Sequence, residues 1–231
     1  MPVSLAAEKP YRRFVTPSPS PAYPATSSFA DRFESLVARV TEATPAESIA
    51  AMHRAFEQRT GAFGADDAWF ESRSRAFWDD AMTRRHAASP LRGKLPPEDQ
   101  RWADALPHAH RGLFQSQDDA EGTVLTDVIG GAQLLVHEID EASRDAIAST
   151  AGLFDGTVVA VASPVRLALL PGAIFHPEAA EDAIGVVVKA ARARGVATEA
   201  LLDALLRMEV SFRVLSRVKP SYAYRVEALG V

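Results

Sequence analysis

Six histidines and no cysteine confine metal or nucleophile chemistry to imidazole, carboxylate and hydroxyl groups. His108 and His110 form an H-x-H pair. On a strand, positions i and i+2 share a face, so both imidazoles could reach one ion. His137, followed by Glu138, and His176 would complete a ligand set if the chain brought them together. A metal-assisted hydrolase is the chemistry such a set would support. The spacing itself is unselective: Glu141 stands where the second histidine of H-E-x-x-H would be. Residues 103–109 also read as a helix end, where imidazole suits the dipole, so capping or surface histidines are the stronger reading.

Other chemistry finds less support. No serine lies in G-x-S-x-G, and no glycine run has phosphate-loop or dinucleotide spacing, so the sequence implies no cofactor. Asp66-Asp67 reads as a helix start, Asp79-Asp80 as part of a charged helix face and Asp118-Asp119 as a loop. Arg75 and Asp79, four apart, read as an ordinary surface pair. Arg73, Arg75, Arg84 and Arg85 interleave with Trp69, Phe70, Phe77 and Trp78, as on a stacking and phosphate surface. Neighbouring acids dilute that charge, and a net charge of −5 with pI near 5.7 argues against nucleic acid as a partner.

The elements that must position these residues follow from periodicity and punctuation. Residues 1–26, broken by Pro10, Pro17, Pro19, Pro21 and Pro24, read as a disordered Pro/Ser-rich tail. Phe29, Phe33, Leu36, Val37 and Val40 mark one helix face. Thr44-Pro45-Ala46-Glu47 reads as a capping box opening a second helix, Asp66 or Asp67 opens a third, and Pro96-Pro97-Glu98 a fourth. From residue 111 the pattern shifts to short strands: 112–117, 123–128, 133–138, 157–162, 165–170 and a piece ending at Phe175. Gly130-Gly131 and Ser163-Pro164 punctuate them as turns, and a helix is expected over 141–150. Two long helices follow, from Pro177 and from Thr198, the second apolar over most of its circumference through Leu201, Leu205, Met208, Phe212 and Leu215. Tyr222, Tyr224 and Val226 alternate as a final edge strand.

The stretches HRGLFQ, VLTDVIGGAQLLVHE and GLFDGTVVAVASPVRLALLPGAIFHP resemble uncharacterised bacterial proteins that carry a small β-domain. The resemblance covers residues 110–176 and implies a fold element and a bacterial origin, with no activity attached. Composition agrees, with 42 alanines and 21 arginines against four lysines, as GC-rich codons would give.

The expected fold is α+β: a helical subdomain over 27–110, a small antiparallel sheet or barrel over 111–176, and C-terminal helices over 177–231 packing on the rest. No apolar run is long enough to span a bilayer and no apolar leader opens the chain, so a cytoplasmic location is expected. The expected function is a non-enzymatic binding or regulatory protein, with a protein partner or self-association. Its interaction residues would be Trp69, Phe70, Phe77, Trp78 and Phe212.

Overall fold

A computed structural model describes residues 29–150, 152–161, 165–215 and 218–230. The tail at 1–26 and the Ser163-Pro164 turn lie outside the described residues. Element order follows the α+β expectation. Four helices come first: α1 (Phe29–Ala43), α2 (Ala46–Thr60), α3 (Phe70–Thr83) and α4 (Pro97–Ala105). The sheet follows, with β1 (His110–Asp119), β2 (Gly122–Asp127), β3 (Gln133–Val136), β4 (Phe154–Val161), β5 (Arg166–Leu169) and β6 (Ile174–Phe175). Helix α5 (Glu141–Ser149) interrupts the strands, and α6 (Glu181–Ala193), α7 (Thr198–Val214) and the short α8 (Pro220–Ala223) end the chain.

Every strand pairing is antiparallel, in the order β3-β2-β1-β4-β5, with β6 also on β4. The sheet curls into a half-barrel because the segment after β3 bends back to its far edge. His137 and Glu138 amides both donate to Leu167 O, and Glu138 O accepts from Leu169 N. The Gly130-Gly131 turn forms as its residue types require: Gly131 takes φ 75°, and its amide donates to Asp127 O at 2.7 Å. Inside the curl pack Phe114, Leu125, Phe154, Val158 and Leu169. Val159, Ala168 and Leu170 pack instead with Phe29, Phe33 and Leu36 of α1, Ala103 of α4 and Leu106 just beyond it. Leu113 joins the buried faces of α6 and α7, including Ile184, Val187, Leu201, Leu205 and Met208.

Several local expectations are corrected. Thr44 does not cap α2. Pro45 holds the N-cap position at φ −54°, ψ 139°, and its carbonyl accepts from Ser48 and Ile49. Helix α3 begins at Phe70, because Asp67 is spent in a turn: its carboxylate accepts from Gly64 N and its carbonyl from Phe70 N. Arg75 pairs with Glu71 at 2.6 Å, whereas Asp79 is buried and bonded elsewhere. Asp118 and Asp119 extend β1. Residues 222–226 form no edge strand; Pro220 starts a helical turn whose Tyr224 amide bonds back to Pro220 O. Tertiary packing decides this, since the Tyr224 ring is buried against His176 and Phe212. Phe212 is itself only half-buried, and Val214 and Leu215 at the end of α7 are exposed.

Candidate functional site

Five elements send charged side chains to one place. The C-terminal turn of α2 supplies Arg59, the end of α3 supplies Asp79, Asp80 and Arg84, β1 and β4 supply Arg111 and Asp155, and the start of α7 supplies Glu199 and Asp203. Local geometry explains each placement. Glu199 and Asp203 are four apart and share a helix face, as do Asp80 and Arg84. Arg111 faces Thr157 across the β1–β4 ladder, so Asp155, two residues on, is its diagonal neighbour on the same side of the sheet.

Asp203 is the hub. Its Oδ2 accepts from Arg59 Nη1 and Arg84 Nη1, both at 2.9 Å, and its Oδ1 from Arg111 Nη1 at 2.8 Å. Burial alone would raise its carboxyl, but the guanidiniums, Arg111 foremost, hold it at about 2. Arg111 also grips Asp155 with two hydrogen bonds, Nε to Oδ1 at 3.0 Å and Nη2 to Oδ2 at 2.8 Å, the fork geometry that carboxylates suit. Arg59 Nη2 reaches Asp80 at 2.7 Å. Glu199 is the loose member. It is half exposed and touches Arg111 at 3.4 Å and Arg84 at 3.6 Å.

Above this network lies a cavity of 320 Å³, bounded by Asp79, Arg84, His86, Arg111 and Glu199 and by the apolar Phe56, Ala76 and Leu206. Its size lies at the lower end of the range for small-molecule sites. Asp79 is 5% exposed; its Oδ2 accepts from Gly172 N at 2.9 Å and its Oδ1 has no partner. Desolvation pushes its carboxyl well above the usual range, only partly offset by the Gly172 amide. At the rim, α3 ends in a wide turn in which Arg85 N returns to Asp80 O and Ala87 N to Ala81 O. His86 sits in that turn at φ 52°, a left-handed conformation that usually falls to glycine.

The sequence-derived histidines do not form a cluster. His108 ends a helical turn before β1, so the pair does not share a strand; His110 opens β1 and bonds Asp127 Oδ2 through Nε2 at 3.1 Å. That bond raises the His110 pKa. On Asp127, burial acts upward, but His110 and the amides of Gly130 and Ile129 outweigh it and bring the carboxyl down. His137 lies against Leu167. His176 is fully buried, with Nδ1 and the Tyr224 hydroxyl sharing a hydrogen bond of 2.9 Å. Among the described residues, no three His, Asp or Glu side chains converge in a way that could hold a metal ion. Of the aromatic residues expected at an interface, Phe77 is core, Trp69, Trp78 and Phe212 are half-buried, and Phe70 is 40% exposed.

The site that does form was missed, but it left a trace. Asp203 interrupts the run Leu201, Leu202, Ala204, Leu205 and Leu206, all buried. A carboxylate within such a run needs a cationic partner or a cavity. No family model, curated protein or solved structure matches the chain. No described helix is long and apolar enough to cross a membrane.

Proposed function

We propose that the chain is a non-enzymatic binding protein whose regulatory ligand is a small polar molecule held in the cleft between α3, α7 and the β1–β4 edge. One observation carries this: three guanidiniums and four carboxylates from five elements converge beside a 320 Å³ cavity. Convergent polar groups, a perturbed carboxyl and an apolar wall are together what ligand sites use. Binding rather than turnover fits the inventory. Asp80, Asp155, Asp203 and Glu199 are each engaged by arginine, an arrangement suited to holding charge in place.

A protein partner or second copy is the companion proposal, supported by the exposed Val214, Leu215 and Tyr222 near the C-terminus. Alanine- and arginine-rich composition supports a bacterial setting for both.

Amide chemical-shift mapping tests the cleft. A panel of anionic, cationic and zwitterionic small molecules should contain members that shift Arg84, Gly172 and Leu206 amides saturably. A panel that leaves all three unmoved would overturn the reading.

A further inference from the structure

Glu199 occupies its position without being secured there. Its contacts to Arg111 and Arg84, at 3.4 and 3.6 Å, are the longest that either arginine makes to α7, and its side chain is 50% exposed. Asp203, one turn along the same helix, holds the same two guanidiniums at 2.8 and 2.9 Å. Arg84 commits only Nη1 to these carboxylates; among the described residues its Nε and Nη2 have no hydrogen-bond partner. One edge of a planar fork thus has no protein partner on a residue that lines the cavity, and it is suited to a second carboxylate.

The rest of the cavity limits what that carboxylate can be attached to. Phe56, Ala76 and Leu206 give it an apolar wall. A fully hydrated inorganic anion would gain nothing from such a wall, whereas an organic acid would bury its body there. The lining also holds Asp79, Asp80, Asp155 and Glu199, but arginine already binds Asp80 and Asp155 and burial favours the neutral form of Asp79, so a cation would meet Arg84 and Arg111 with only the loose Glu199 to offset them.

We infer that the cleft binds a small organic carboxylate, which displaces Glu199 and takes the open edge of Arg84 while its apolar body lies against Phe56 and Leu206. This rests on the binding reading above and adds the ligand's chemistry. Glu199 acts as a resident competitor: it fills the anion position when the cleft is empty and swings to solvent when the ligand enters. Its exposure and long contacts make that exchange inexpensive.

The probes are benzoate, inorganic phosphate and benzylamine, titrated calorimetrically at low ionic strength into the full chain and into Glu199→Gln and Arg84→Gln. The substituted side chains are partly exposed, Arg84 at 37% and Glu199 at 50%, and a melting curve checks that each variant is folded. Benzoate should bind saturably. Glu199→Gln should tighten it by about fivefold or more, and Arg84→Gln should weaken it by about tenfold, the scale of a charge-assisted hydrogen bond. Benzoate binding that Arg84→Gln leaves unchanged, or that Glu199→Gln weakens, would overturn the assignment. Phosphate binding without benzoate would overturn the organic body. Benzylamine binding alone would overturn the anion while leaving the cleft a ligand site, which separates this failure from failure of the broader reading. No binding by any probe to the parent or to Glu199→Gln would also overturn it, and the amide-shift panel then decides the broader reading independently.

Discussion

Arg73 and Glu209 form an ion pair in full burial, at 0% and 1% side-chain exposure, linking α3 to α7 beneath the cleft. Arg73 Nη2 also donates to Leu206 O at 2.7 Å, and Arg213 reaches the other oxygen of Glu209. The guanidinium is thus one of the largest fully buried side chains in the protein, a place usually filled by leucine or phenylalanine.

Removing one partner strands the other in the apolar interior. Arg73→Met alone should cost about 3–5 kcal/mol, whereas the double variant Arg73→Met, Glu209→Leu should recover most of that loss. Urea unfolding of the three proteins measures it. A double variant as unstable as the single one would mean that the pair is net stabilising.

How much of this could be read from the sequence divides along the kind of signal. The strands were legible because short runs rich in β-branched and apolar residues are broken by Gly122, Gly130 and Gly131, so backbone chemistry itself marks their ends. The start of α4 was legible from Pro97, which sits in its first turn. The cleft was not, because most of its charges lie on helices, where periodicity treats them as solvated. Asp79 looked like the i+4 partner of Arg75, yet α3 turns it inward onto Gly172 of the segment before β6. That contact spans 93 residues, and no local pattern encodes it. The final Tyr222–Tyr224 alternation misled for the same reason: burial of Tyr224 against His176 outweighed a weak period-two pattern.

Gly172 should resist substitution. A Cβ there would lie 2.6 Å from Ala76 Cα and 2.5 Å from Asp79 Oδ2. The first of these is helix backbone, which cannot swing aside. Gly172→Ala should therefore cost about 2–3 kcal/mol and push α3 away from the sheet, widening the cleft. Thermal unfolding checks the cost, and a variant as stable as the parent would show that the α3 contact is soft.

His176 predicts acid sensitivity. Burial, reinforced by Arg73 and Arg213, lowers its pKa from 6.5 to about 3. Between those values the unfolded chain binds a proton that the native state refuses, so stability falls as pH falls below 6.5. From pH 7 to pH 5 this group alone should remove about 2 kcal/mol. His176→Gln, which cannot titrate, should be the less pH-sensitive protein by that amount. Parallel stability curves for the two would show that the imidazole is not held neutral.

Asp79 predicts the opposite slope over an overlapping range. Desolvation raises its carboxyl well above 3.8, so above that pH the native state keeps a proton that the unfolded chain has released. Stability from this group is complete below pH 3.8 and is lost as pH rises toward the folded value. Asp79→Asn retains an acceptor for the Gly172 amide and removes the titration. Its stability relative to the parent should improve by about 1.4 kcal/mol for each pH unit inside that window, then level off once Asp79 ionises in the folded state. Because His176 is common to both proteins, its contribution cancels in the difference. Chemical denaturation of the pair at half-unit steps from pH 4 to pH 8 reads this directly. A difference that stays flat throughout would mean that Asp79 is already ionised at pH 4, with its charge compensated inside the cleft.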